Sequence, residues 1–186
     1  NHIPLLDFLA TTDKPLIIST GACTFVEIDF VVKYLQKKGC TQLALLQCTS
    51  KYPSSLEKLN LSTIPVIKNR YNLPVGFSDH SIDPIIGPMM SLGFGSTIIE
   101  KHFTLDKTLP GPDHAFALNP EELSTMINSI RNASQTIGTG KKEILDVEEE
   151  LRRFATRSIQ ATKKITKGHI LKEGENIEIL RPGKQS

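Results

Sequence analysis

The 186-residue sequence predicts an α/β chain: half of an eight-stranded parallel barrel, followed by a small β-rich module. Three observations predict it. Short apolar runs alternate four times with helix-like amphipathic segments, the pattern of repeated strand–helix units. The apolar runs are continuous rather than alternating, which marks the strands of a parallel sheet. All four runs end in polar residues: Ser19-Thr20, Cys48-Thr49-Ser50, Ser78-Asp79-His80 and Glu100-Lys101-His102. Parallel barrels build their sites at the C-terminal ends of their strands. Four units alone leave two bare sheet edges, which favours half of a closed barrel over a complete open sheet.

The elements follow in order. Asn1 to Leu6 enters on an apolar, helix-like segment without an initiator Met, so residues before it are expected, lost through truncation, processing or a split gene. Pro15 to Ser19 reads as the first strand, closed by Thr20-Gly21. Thr24-Phe25-Val26-Glu27 spells a capping box, and Ile28, Val31, Val32 and Leu35 recur at helical spacing up to Gly39. Leu43 to Cys48 is the second strand, and Asn60 to Tyr71 a helix with Leu61, Ile64 and Ile67 on one face. Val75 to Ser78 is the third strand, Ser81 to Leu92 a helix-like stretch, and Thr97 to Glu100 the fourth strand. A polar loop from Leu105 to Leu118 leads to a strongly signalled helix, with Asn119 at N-cap, Pro120 at N1 and Glu122 at N3. The barrel half thus spans 1–140 and a linker 141–153. Residues 154–186 carry short β pieces around Ser158-Ile159, Ile165, Ile170-Leu171 and Ile177 to Leu180.

Composition excludes several classes. Hydrophobic content of 39% and charged content of 23% are those of an ordinary globular chain. The formal net charge is +2, and no basic run is long enough to argue for nucleic acid. No stretch reads as a signal peptide or a membrane span. Cys23, Cys40 and Cys48 lack metal-ligand spacing. They suggest a reducing, cytoplasmic setting, each as a small buried residue.

Two strings carry the chemistry, Gly76-Phe77-Ser78-Asp79-His80 and Glu100-Lys101-His102-Phe103. Side chains alternate along a strand, so Glu100 and His102 share a face. If these strands are neighbours, His80 and His102 can share one metal ion with Glu100 close by. The plainer alternative is a hydrogen-bonded histidine pair at a barrel mouth. For Glu100 it is an ion pair with a neighbouring strand-end lysine. Ser19, Ser50 and Ser78 stand at three strand ends, where they suit phosphate or carboxylate oxygens or merely cap backbone groups. Tyr52 follows in the second of these loops, and Asp113 follows the rigid Pro110-Gly111-Pro112. Asp79 is expected to orient its loop or His80 rather than bind directly.

At these residues the chain resembles the sialic acid synthase (N-acetylneuraminate synthase) family. The strings that carry the resemblance are Ile18 to Gly21, Cys48 to Pro53, Gly76 to His80, Glu100 to Asp106 and Pro110 to His114. Lys167-Gly168 and Arg181-Pro182-Gly183 resemble the family's antifreeze-like (SAF) domain. The resemblance implies the C-terminal half of a TIM barrel followed by an SAF module. It implies metal-dependent condensation of phosphoenolpyruvate with an N-acetylhexosamine (N-acetylmannosamine or its 6-phosphate), releasing phosphate. It implies His80 and His102 as ligands of manganese or magnesium, and Glu100 as a catalytic carboxylate. Substrate contacts would come from Ser19, Ser50, Tyr52, Ser78 and Asp113. It also implies a homodimer in which the SAF module covers the partner's site, offering Phe154 and Arg181. The family's first half-barrel has no counterpart in the sequence, so a complementing N-terminal half is expected. Related legionaminic, pseudaminic or spore-coat polysaccharide synthases would share this machinery. A non-catalytic dimerising fragment is the alternative from another class.

Overall fold

A computed structural model describes residues 2–181. The chain divides into two compact units, Asn1–Gly138 and Thr139–Ser186. In the first, helix α1 (Ile3–Ala10) precedes β1 (Leu16–Ser19), α2 (Phe25–Lys37), β2 (Leu43–Cys48), a short 3-10 turn (Leu56–Lys58), α3 (Thr63–Tyr71), β3 (Val75–Asp79), α4 (Ile86–Gly93), β4 (Ile99–Lys101) and α5 (Pro120–Thr136). The strands form one parallel sheet in the order β1-β2-β3-β4. Sequential parallel strands joined through helices are the layout of part of a (β/α)8 barrel.

The two sheet faces differ. One face carries Leu16, Ile18, Leu43, Leu45, Val75, Phe77 and Ile99, and packs on Leu6 of α1, Ile28, Val32 and Leu35 of α2, and Ile64 and Ile67 of α3. Burying each such side chain contributes roughly 1.5–3 kcal/mol, so this helix-covered face holds the unit together. The other face follows from the register. Ser19, Leu46 and Gly76 form one row across β1, β2 and β3. Cys48, Ser78 and Glu100 form the next row, across β2, β3 and β4. Near the β1 edge this face is open, and Ile17 is 57% exposed. At Gly76 the chains approach closely: a Cβ there would lie 2.5 Å from the Ile98 carbonyl oxygen and 2.7 Å from the Ile98 Cβ.

Both capping boxes form. Glu27 accepts from the Thr24 N–H at 2.7 Å, and Glu122 accepts from the Asn119 N–H at 3.0 Å while donating its own N–H to Asn119 Oδ1 at 2.8 Å. Two helices begin later than their patterns suggest. Asn60 has φ 48°, a left-handed conformation that no helix passes through, and α3 starts at Thr63. Asp83 Oδ1 accepts from the N–H groups of Ile85 and Ile86 at 2.8 and 2.6 Å, and this turn delays α4 to Ile86.

In the second unit, α6 (Asp146–Ala155) begins inside the segment expected as a linker. Acidic residues in its first turn and Arg152 and Arg153 in its last oppose the helix dipole. β5 (Ser158–Ala161) and β6 (Ile177–Leu180) pair antiparallel, Ser158 opposite Leu180. The β pieces expected at Ile165 and Ile170-Leu171 do not form strands. The Asn176 side chain instead donates to the Ile170 carbonyl at 3.0 Å and accepts from the Lys172 N–H at 2.9 Å, so those backbone groups bond a side chain rather than a ladder. Pro182 and Gly183 lie outside the described residues. No helix among the described residues is long and apolar enough to cross a membrane.

Candidate active site

The C-terminal ends of β2, β3 and β4 bring the polar residues together. Cys48, Ser78 and Glu100 are paired in register, one step before His80 and His102. Ser78 Oγ donates to Glu100 Oε1 at 2.7 Å. The His80 and His102 rings stand edge to face with centroids 5.3 Å apart. His80 is buried and His102 half-buried. His80 Nδ1 lies 3.0 Å from the Thr49 carbonyl oxygen, and the His80 carbonyl accepts from the Ser54 N–H at 2.9 Å. The β2–α3 loop therefore grips His80 from both ends of the residue.

That loop also delivers Tyr52, whose ring centroid is 4.1 Å from His80 and 5.8 Å from His102. The Tyr52–Pro53 peptide is cis. Ser50 Oγ lies 3.9 Å from Cys48 Sγ, which lies 3.9 Å from His80 Nδ1. Gly21 makes room here, since a Cβ would lie 2.6 Å from Cys48 Sγ. Ser19 stands one row deeper and at the β1 edge, exposed.

A second loop closes over His102. Leu118 donates its N–H to the His102 carbonyl at 2.9 Å, and Thr104 donates to the Leu118 carbonyl at 2.8 Å. This return brings Asp113 Oδ2 to 3.6 Å from His102 Nδ1 and the Phe116 ring to 5.2 Å from the His102 ring. Lys107 anchors the loop to the start of α5 through Glu122 at 2.6 Å. The Lys107 ammonium, with the Asn119 N–H, holds the Glu122 carboxyl below the usual carboxylate range. His114 bonds Thr104 Oγ1 at 2.7 Å and takes no part in the ring cluster.

The structure thus gathers Ser78, His80, Glu100, His102, Tyr52 and Asp113 at one sheet end, with Ser50 reached through Cys48. Phe154, in α6, and Arg181, which follows β6, belong to the second unit. Cys23 is exposed and Cys40 and Cys48 are half-buried, so the expectation of three buried cysteines fails. Asp79 points to the other face: its Oδ1 accepts from the Ser81 N–H at 2.8 Å, and its Oδ2 pairs with Lys101 Nζ at 2.7 Å. Lys101 is thereby unavailable as an ion-pair partner for Glu100. Thr49, Phe116 and Lys101 were not singled out by the sequence. Thr49 acts through its backbone, Phe116 through a loop closure 14 residues beyond His102, and Lys101 is masked between two more conspicuous residues.

His80 and His102 are the two side chains at this strand end that could hold a metal ion. With Nδ1 of His80 held by a backbone carbonyl and Nδ1 of His102 facing Asp113, Nε2 is the free nitrogen of each ring. Among the described residues no group of three or more His, Cys, Asp or Glu side chains is placed to hold a metal ion. An ion held by these two imidazoles alone would have most of its coordination positions open.

Comparison with known proteins supplies relatives. The profile of the NeuB family matches residues 1–142. The N,N'-diacetyllegionaminic acid synthase of Legionella pneumophila is 40% identical over 186 residues, covering 98% of this chain and 52% of that protein. The solved spore coat polysaccharide biosynthesis protein SpsE of Bacillus subtilis superposes with a TM-score of 0.70 at 37% identity, over 99% of this chain and 55% of that one. The N-acetylneuraminic acid synthetase of Leptospira borgpetersenii superposes with a TM-score of 0.74 at 36% identity, over 80% of this chain and 52% of that one. The chain spans about half the length of the curated relatives it matches.

Proposed function

As a member of the NeuB family, the chain carries a strand-end site that we propose serves a nonulosonic acid synthase, condensing phosphoenolpyruvate with an N-acetylhexosamine and releasing phosphate. The observation that carries the reading is the cluster at the β3 and β4 ends, where Ser78 bonds Glu100 and two imidazoles stand 5.3 Å apart on the same face. A manganese or magnesium ion held by His80 and His102 would polarise the carbonyl oxygen of the acceptor sugar. Glu100, steadied by the Ser78 hydroxyl, takes a proton from the water that adds at C2 of phosphoenolpyruvate. Ser19, Ser50 and Ser78 offer short hydroxyl donors to phosphate or carboxylate oxygens. Asp113 and Tyr52 border the acceptor, the first as a hydroxyl ligand and the second as an aromatic wall.

The reading extends to the assembly. The second unit serves as an SAF module that covers the partner's site in a homodimer and offers Phe154 and Arg181 to the acceptor. Further strands along the β1 edge would close the barrel, and the exposed Ile17 beside that edge fits such an extension.

The test is phosphate release from phosphoenolpyruvate with N-acetylmannosamine, its 6-phosphate or a diacetylated hexose as acceptor. It is run on the chain alone and with an N-terminal half-barrel from a relative. The reading expects release that needs metal and acceptor and is lost in Glu100→Gln. No release under any of these conditions from a folded, complemented barrel overturns it in favour of a non-catalytic fragment.

A further inference from the structure

Lys101 and Asp79 face each other in register on β4 and β3, on the helix side of the sheet. Their side chains are 3% and 0% exposed. Burying two charges is costly unless the rest of their hydrogen-bonding capacity is used. Here it is used on one short stretch of chain, through side chains and backbone. Lys101 Nζ bonds Asp79 Oδ2 at 2.7 Å, the Ser81 carbonyl, Ser81 Oγ at 3.3 Å and the Asp83 carbonyl at 3.3 Å. Asp79 Oδ1 accepts the Ser81 N–H at 2.8 Å. Every one of these bonds falls on residues 79 to 83, and His80 lies in their midst. Lys101 is itself the residue between Glu100 and His102. One buried ammonium at the end of β4, next to His102, therefore ties to the Asp79 side chain before His80 and to the Ser81 and Asp83 carbonyls after it.

We propose that Lys101 is a positioning residue: with Asp79 it locks the backbone flanking His80 and so sets the aim of that imidazole toward His102. The proposal rests on the reading of His80 and His102 as metal ligands. Groups that orient metal-binding histidines typically alter metal affinity by 10–100-fold when removed. Lys101 would do so through the backbone rather than by touching the ring.

The test uses the paired variant Lys101→Met/Asp79→Asn. It removes both charges together, so no unpaired charge stays buried, and it keeps an acceptor for the Ser81 N–H. Lys101→Gln/Asp79→Asn retains polarity at both positions and gives the same readings should the first variant fail to fold. Manganese affinity is measured by electron paramagnetic resonance of the free ion. The His80 imidazole is followed by nitrogen-15 NMR in the metal-free chain, and folding by urea titration. The expected result is a urea midpoint near that of the native chain, manganese affinity lowered about 10–100-fold, and a His80 ring signal that loses the environment set by the Thr49 carbonyl. Native manganese affinity with an unchanged His80 signal in a folded variant overturns the proposal. His80→Ala/His102→Ala judges the metal reading separately. Manganese binding unchanged in that variant, or absent from the native chain, overturns that reading. The His80 signal in the metal-free chain still decides the role of Lys101.

Discussion

Ser78 on β3 donates a 2.7 Å hydrogen bond to the carboxylate of Glu100, its register partner on β4. The bond joins a buried hydroxyl to an exposed carboxylate. Removing it costs little folding energy, because water can replace the donor at Glu100. Ser78→Ala is expected to lower stability by about 1 kcal/mol or less in a urea titration. Glu100→Gln, in an active complemented barrel, is expected to slow phosphate release by roughly 10²–10⁴-fold with little change in the urea midpoint.

A Cβ on Gly76 would lie 2.5 Å from the carbonyl oxygen of Ile98, the residue before β4. Backbone cannot yield as a flexible side chain can. Gly76→Ala is expected to destabilise the chain by about 1–3 kcal/mol through overpacking, read as a lower urea midpoint.

The helix pair α2 and α3 is tied at the surface by Asp29, which receives Arg70 Nε and the Tyr71 hydroxyl, each at 2.8 Å. The Arg70 guanidinium, then the Tyr71 hydroxyl, hold the Asp29 pKa down at about 2, against 3.8 unperturbed. A depressed folded-state pKa means that the stabilisation is complete above about pH 4 and fades as pH falls toward 2. The urea midpoint of the native chain should exceed that of Asp29→Asn at pH 6, and the difference should shrink steadily between pH 4 and pH 2. A difference that does not change over that range contradicts the assignment.

Asn119 caps α5 with its side-chain oxygen 2.8 Å from the Glu122 nitrogen. The same Glu122 anchors the loop that carries Asp113, through Lys107. Asn119→Ala is expected to cost about 1 kcal/mol, as lost caps do, seen as a lower midpoint in thermal or urea unfolding.

The sequence made some of this legible and hid the rest for physical reasons. The strand–helix alternation, the caps at Thr24 and Asn119, and the shared face of Glu100 and His102 depend on spacings within a few residues, and periodicity records those. The late start of α4 depends on Asp83 turning its carboxylate onto two N–H groups, which competes with the helix and leaves no apolar signature. The Lys101–Asp79 pair spans 22 residues and is recognisable only once β3 and β4 are known to be neighbours. Phe116 reaches His102 through a loop return fixed by backbone bonds to Leu118, which no side-chain pattern encodes. In the second unit, the apolar pair Ile170-Leu171 suggests a strand, but Asn176 claims the backbone around it.

Manganese calorimetry on the purified chain, beside a folded His80→Ala/His102→Ala variant, tests the central claim most directly. The account predicts a single binding event in the native chain that the double variant loses while keeping its circular dichroism. Equal binding by both, or none by a folded native chain, contradicts the assignment of His80 and His102 as the metal ligands of this site.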